Sequence, residues 1–345
     1  YRPMEAGSGV CPVAATILGE YLHFHREVRD RLRRGVVGGD KVLIYRCSAL
    51  GFCGGHGDRL NGLLGAFLIA VVSRRAFFID SPRPVPLHLI LHPRRMPASC
   101  GSDAELLLDW RIHGAVAASG RRVNYNDRYN DLVADLPWLL AAESETVMVL
   151  NSNQRVTYPV LASVEAKLSL GEQNRDALMH MPFLHAALLE LLFEPSTLLA
   201  GQLAKELDAS LNGRPHLIGI HFRAGNKSPE RWADPPRHDL EDFERVLSCA
   251  ASVEARMGWT DKEVSWYIAA DTSAISASPA LQSLLTRKKV LNLQDKGADS
   301  AGIIHLDRTA MGLAVKGVVH TWAEWLMLSL ADVVVLSASG FGVTA

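Results

Sequence analysis

Short, β-prone apolar runs alternate with stretches of helical periodicity along most of this chain, and that alternation restricts it to an α/β architecture. The runs lie at 41–46, 76–80, 146–150, 216–222, 264–269, 289–293 and 333–336. Between them, apolar positions recur at helical spacing over 59–73, 175–193, 196–211, 240–257, 279–285 and 321–330. A helix that joins two strands on its way back to the same sheet makes those strands parallel. Two such series follow one another, which predicts two Rossmann-like domains with parallel sheets facing a cleft. The expected limits are a leader and first helix over 1–40, with an amphipathic piece at 14–34, an N-terminal domain over 41–200 and a C-terminal domain over 201–345. Pro82, Pro84, Pro86 and Pro93 mark a long loop after the second strand, and Pro195 is expected to end the helix at 175–193.

Composition excludes several classes. Of 345 residues, 48% are hydrophobic and 21% charged, so two cores can be buried and the chain is not disordered. A net charge of -1 argues against a nucleic-acid protein that works by bulk electrostatics, so an anion site must be a local cluster. No apolar run reaches the roughly 20 residues of a membrane span. The longest, 62–73, is flanked by Arg59, Arg74 and Arg75 and reads as a buried helix. The chain opens on Tyr1 and stops at Ala345 soon after a strand, so it is expected to be a fragment whose last domain is cut short. The five cysteines form no CxxC pair, which speaks against a zinc site. Cys47 and Cys53 either close a small loop in an oxidising compartment or remain buried thiols.

Four clusters stand at strand ends. The segment 51–62, Gly-Phe-Cys-Gly-Gly-His-Gly-Asp-Arg-Leu-Asn-Gly, lies between a strand and a helix. Its glycines allow close backbone approach, and N–H groups at a helix start favour an anion; the plainer reading is a packed turn with Asp58 as helix cap. In 217–227, an apolar strand delivers His221 and Arg223 to its end, followed by Ala224, Gly225, Asn226 and Lys227. Residues two apart on a strand share a face, so His221 and Arg223 aim at one place, and a fixed guanidinium there suits a phosphate or pyrophosphate. A core histidine and a structural ion pair are the alternatives. Asp271 ends the strand at 264–269, either as an acceptor for a base or ribose or as a turn cap. Finally Ser337, Ser339, Gly340 and Phe341 follow the last strand and open a helix, as an anion cradle or as a simple cap. No Asp-x-Asp pair, Gly-x-Ser-x-Gly elbow or HExxH motif occurs.

In this order the four clusters resemble the GT-B fucosyltransferase superfamily, which includes α1,2-, α1,6- and protein O-fucosyltransferases. The resemblance runs over 41–345. Residues 57–64 with 76–80 resemble its first-domain signature, His221-x-Arg223 its donor motif, and Ala270-Asp271 and 337–341 its later donor blocks. It implies a GT-B-like fold and an inverting transfer of fucose from GDP-fucose to a glycan or protein hydroxyl, without a metal or other cofactor. It further implies that Arg223 neutralises the β-phosphate of the leaving GDP. Donor-binding residues would be His221, Arg223, Gly225, Asn226, Lys227, Asp271, Ser337, Ser339, Gly340 and Phe341, with Asp271 near guanine or ribose. Gly55, Gly57, Asp58, Arg59 and Asn61 would line the cleft on the acceptor side. Glu230 is the candidate base, with Asp58 and Asp234 as competitors. The chain departs from the α1,2 and α1,6 pattern at Ala224, where those branches carry a second arginine, and at Asn226, near an aspartate of theirs. A GT-B transferase for another nucleotide sugar and an inactive GDP-sugar or glycan binder remain the alternatives. Eukaryotic relatives work in the Golgi or endoplasmic reticulum lumen behind a membrane anchor, and bacterial ones in the cytoplasm.

Overall fold

The computed structural model describes residues 10–36, 39–47, 53–94, 108–112, 120–141, 145–181, 184–211, 213–225, 236–272, 274–286, 290–291, 314–337 and 339–344. The chain divides into two compact units with a boundary between Ser196 and Thr197.

The first unit opens with α1 (Val10–Arg33), β1 (Val42–Arg46), α2 (His56–Val72) and β2 (Ala76–Asp80). β3 (Leu91–Pro93), β4 (Arg121–Asn124), α3 (Tyr129–Leu140) and β5 (Val147–Asn151) follow. It closes with α4 (Thr157–Ala162), α5 (Val164–Leu170), α6 (Glu172–Met179), α7 (Leu184–Leu192) and β6 (Phe193–Pro195). Among the described residues, its main sheet is parallel with order β2-β1-β5-β4. One face packs on α1: Val28 and Leu32 meet Val42, Ile44, Ala76, Phe78 and Val149. α2 is buried nearly all round, as its uniformly apolar sequence predicts. It also lies unusually close to the chain beyond β5, because a Cβ on Gly62 would overlap the Ser152 carbonyl.

The second unit holds α8 (Thr197–Leu211), β7 (His216–Phe222), α9 (Leu240–Met257), β8 (Val264–Ala270), α10 (Pro279–Thr286) and β9 (Val290–Leu291). α11 (Ala314–Ser329), β10 (Val333–Leu336) and α12 (Gly340–Thr344) complete it. Its described strands are parallel in the order β10-β7-β8-β9. Strand alternation sends Ile218, Ile220 and Phe222 to one face, where Phe243, Leu247 and Leu281 of α9 and α10 cover them. Leu217 and Tyr267 face the other way, onto Leu203 and Leu207 of α8 and Met327 and Leu328 of α11. Full burial of each such side chain contributes about 1.5–3 kcal/mol. On that second face Glu206 is buried but satisfied: it accepts from the Tyr267 hydroxyl at 2.7 Å and Gln202 at 2.8 Å, and pairs with His320 at 3.2 Å. α9 is bounded by local chemistry. The Asp239 carboxylate accepts from the Asp242 N–H at 2.9 Å at its start, and Gly258, at φ 70°, ends it in the left-handed region.

Several boundaries differ from expectation. The helix expected over 175–193 is two, α6 and α7, with Pro182 in the sequence between them. The proline-rich stretch after β2 is not all loop, since β3 pairs antiparallel with β6. β4, with one apolar residue, was not expected, and neither was α3, although its Leu132, Leu136, Leu139 and Leu140 recur at helical spacing. α2 starts at His56 rather than at 59, and α11 at Ala314 rather than at 321.

Candidate functional site

In an open parallel sheet, ligands bind outside the strand carboxyl ends where the strand order reverses. In the second unit that point lies between β7 and β10, whose ends are in register at His221 and Leu336. The two strand ends are tied together there. The Ser337 N–H donates to the His221 carbonyl at 2.9 Å, and the Arg223 N–H donates to Ser337 Oγ at 2.8 Å. His221 is buried, and α12 comes against it at Gly342, where a Cβ would lie 3.1 Å from His221 Nδ1 and 2.7 Å from Leu336 Cδ2. Burial, and then the nearby Arg223, lower the His221 pKa to about 4, so its imidazole is neutral near pH 7. At this edge Arg223 is therefore charged and His221 is not.

Arg223 is mostly buried and its Nε lies 3.2 Å from Asp271 Oδ2. Asp271 also receives the Ala224 N–H on Oδ1 at 2.7 Å and the Gly225 N–H on Oδ2 at 3.1 Å. Gly225 takes φ 76°, a left-handed conformation open to glycine at little cost. The Arg237 and His238 N–H groups donate to the Ala224 carbonyl at 2.8 and 3.3 Å, which ties the approach to α9 to the turn after β7. Asn226, Lys227, Glu230 and Asp234 lie outside the described residues. Ser339 precedes α12, which Gly340 and Phe341 open, and its carbonyl accepts from the Val343 N–H at 3.1 Å. His221, Arg223, Gly225, Asp271 and Ser337 are thus brought to one edge.

The corresponding edge of the first unit lies outside β1 and β5. A disulfide joins Cys47, just past β1, to Cys53, so of the two readings of these cysteines the structure takes the bonded one. Gly54 follows at φ 73°, so close to the Asp58 side chain that a Cβ would come within 2.7 Å of the Asp58 Cβ. The helix cap is Gly55, not Asp58. The Asp58 carboxylate folds back and accepts the Gly55 N–H at 3.0 Å, satisfying a donor that the helix leaves open. Gly57 is buried in the first turn. Arg59 Nε donates to the Gly54 carbonyl at 3.2 Å, and Nη1 to the Arg83 carbonyl at 2.9 Å. His56, buried beside Arg59, has its pKa lowered to about 3 by burial first and that arginine second. Asn61 is half-buried, and its side-chain carbonyl has no hydrogen-bond partner.

A carboxamide cluster at the same edge went unread in the sequence. Asn126 Nδ2 donates to Asn151 Oδ1 at 3.2 Å, and Asn153 and Asp127 exchange bonds at 2.8 and 2.9 Å. Gln154 bonds the same Asn153 carbonyl. Asp127 takes φ 57°, a left-handed value that aspartate tolerates better than most residues. The available signal was the polar run 151–154, Asn-Ser-Asn-Gln, directly after an apolar strand. Arg46 and Asp80, at the ends of β1 and β2, pair at 2.6 Å. Among the described residues no group of three or more His, Cys, Asp or Glu side chains is arranged to hold a metal ion. None of the described helices is long and apolar enough to cross a membrane.

No protein-family model matches the chain, and no curated protein is detectably similar in sequence. Solved structures are similar in fold. A mutant of Arabidopsis thaliana FUT1 in complex with GDP superposes with a TM-score of 0.59 at 15% identity, over 95% of this chain and 75% of that one. The α1,6-fucosyltransferase NodZ soaked with GDP-fucose gives 0.52 at 13% identity, over 89% and 91%. NodZ from Bradyrhizobium gives 0.52 at 14% identity, over 89% and 92%. With its two units, each built on a parallel sheet whose carboxyl edge gathers polar side chains, the chain has the GT-B-like α/β fold of these fucosyltransferases.

Proposed function

We propose that the protein is a fucosyltransferase that moves fucose from GDP-fucose to a hydroxyl of a glycan or protein, with inversion and without a metal. The observation that carries this reading is the placement of Arg223 at the β7–β10 edge, held by Ser337 and Asp271, in a fold shared with enzymes solved with GDP and GDP-fucose.

Sugar transfer passes through an oxocarbenium-like state while the departing diphosphate gains negative charge. Positive groups fixed before the reaction are the strongest means of stabilising that charge. Arg223, Lys227 and the N–H groups at the start of α12 take that role at the β-phosphate, with Ser337, Ser339, Gly340 and Phe341 beside it. The neutral His221 contributes a hydrogen bond rather than charge. Gly225, Asn226 and Lys227 complete the donor-binding set of the proposal. The acceptor-side residues of the proposal are Gly55, Gly57, Asp58, Arg59 and Asn61. The acceptor's hydroxyl proton passes to a carboxylate as the new bond forms to the anomeric carbon and the bond to the diphosphate breaks. Glu230 is that base in this proposal. The case for Asp58 is weakened by its bond to the Gly55 N–H, and Asp234 remains its competitor. The Cys47–Cys53 disulfide supports work in an oxidising compartment such as the Golgi or endoplasmic reticulum lumen.

Calorimetric titration with GDP, UDP, ADP and CMP, followed by a transfer assay with GDP-fucose in EDTA over a glycan panel, tests the proposal. Selective GDP binding and EDTA-resistant transfer are expected. Absence of GDP binding to the folded protein would sink it, and loss of transfer in EDTA would remove its metal-free form.

A further inference from the structure

The resemblance to fucosyltransferases suggests Asp271 as a contact to guanine or ribose. Its surroundings suggest another role. Asp271 stands one residue beyond β8, whose last residue, Ala270, is in register with Phe222 at the end of β7. Its carboxylate spans the turn that follows β7: Oδ1 takes the Ala224 N–H, Oδ2 takes the Gly225 N–H, and Oδ2 lies 3.2 Å from Arg223 Nε as an ion pair. Its own N–H donates to the Phe222 carbonyl at 3.4 Å. Residues 222–225 are therefore all tied to this one side chain and its backbone. The carboxylate is 13% exposed and the Arg223 side chain 22%, so the contact is not a solvent-screened surface pair.

We infer that Asp271 is the positioning residue for Arg223, fixing the guanidinium for a nucleoside diphosphate rather than touching the nucleobase. A carboxylate is acceptor-only and forms its strongest bonds to charged or backbone donors, which are the donors found here. The same carboxylate that holds the Ala224 and Gly225 N–H groups pairs with the Arg223 guanidinium, so it fixes both the turn and the charge that the turn carries. Side-chain freedom is then lost in the free protein instead of at binding, which is how a preorganised group gains its effect. The negative charge lowers the net attraction of the site for phosphate, so the inference requires that orientation outweigh neutralisation. It rests on the donor reading proposed above.

A double-mutant cycle separates the possibilities. GDP affinity is measured by calorimetry for wild type, Asp271→Asn, Arg223→Lys and the double variant. The expected result is a loss of about ten-fold for Asp271→Asn in the wild-type background and less than about two-fold in the Arg223→Lys background, as for residues acting through one another. Binding of guanosine, followed by saturation-transfer NMR, should be the same in wild type and Asp271→Asn. An undiminished loss in the Arg223→Lys background, or a parallel loss for guanosine, would overturn the inference in favour of a base contact. GDP binding that is unchanged or tighter in Asp271→Asn would overturn it in favour of neutralisation. If Asp271→Asn does not fold, Asp271→Glu, which keeps the charge but moves it by one methylene, enters the same cycle with the same expectations. If wild type binds no GDP, the donor reading fails and takes this inference with it; if wild type binds and the cycle is additive, only the positioning role fails.

Discussion

The carboxyl edges of the two sheets share a topology and differ in chemistry. At the β7–β10 edge the arginine, Arg223, is held by a carboxylate, beside a buried neutral histidine and a serine that links the strands. At the β1–β5 edge the arginine, Arg59, bonds backbone carbonyls of Gly54 and Arg83, beside a disulfide, close glycine contacts and a field of carboxamides. Arg59 is thus bonded to neutral acceptors of its own backbone surroundings, whereas Arg223 is paired with a negative charge. The same strand-end position in a parallel sheet can thus hold an arginine in two ways, and the partner groups decide between them.

Substitution at each edge should break this contrast in a different observable. Arg223→Ala should cut transfer from GDP-fucose by roughly 100- to 1,000-fold, the range typical of a lost charge-stabilising donor. Initial rates at saturating acceptor will measure it, and a melting temperature near wild type will show that the fold survives. Gly62→Ala should act on the fold instead. The new methyl would overlap the Ser152 carbonyl, a backbone atom that cannot swing away, and overpacking of this kind costs about 3 kcal/mol or more. Urea unfolding of the variant would expose the error if its midpoint matched wild type. Replacing Cys47 and Cys53 together by serine should destabilise the first unit by about 2 kcal/mol, the loop-closure value for so short a link. Reducing agent should reproduce that loss in the wild type.

The smallest effects concern pH. In the first unit burial lowers the pKa of His25 to about 4, of His56 to about 3 and of His185 to about 4, and in the second that of His221 to about 4. Each is neutral when folded but takes a proton near pH 6.5 when unfolded, so the unfolded state binds more protons as pH falls. Stability is full above about pH 6.5 and declines toward pH 4, with three of these four described groups weighing on the first unit. His320 has the opposite sign. Burial opposes its charge, but Glu206 and Glu324 outweigh burial and raise it to about 10. Its contribution is full below about pH 6.5 and lost as pH rises through about 10. His320→Gln should therefore destabilise the second unit at pH 7 and have less effect above pH 10, read from denaturant midpoints across pH. An equal effect at both would remove the charged-histidine account.

Much of the second unit was legible because its elements are strongly patterned. The strand at 216–222 and the helix at 240–257 match β7 and α9 in full, since their apolar spacing and the Asp239 and Gly258 caps are local signals. The first unit hid more. β4, Arg-Arg-Val-Asn, is largely exposed and carries one apolar residue, so no period could reveal it. The pairing of β3 with β6 joins segments about a hundred residues apart, which no local pattern encodes. At the sites, the strand-end rule located His221, Arg223, Asp271 and Ser337, but residue type could not distinguish a ligand group from a brace. Asp58 and Arg59 bond groups of the loop they stand in, and the carboxamides of Asn126, Asn151 and Asn153 converge from separate strand ends.

The sequence by itself determined that the chain is α/β, that it carries two parallel-sheet series, and that basic and small residues gather at the strand ends. These follow from periodicity and backbone preference, which act over a few residues. Tertiary structure alone decided which strand ends are neighbours, that Cys47 bonds Cys53, that burial keeps His221 neutral and that Asp271 grips the turn bearing Arg223. Those outcomes depend on distances and desolvation between groups far apart in the chain, and such quantities exist only once the sheet has formed.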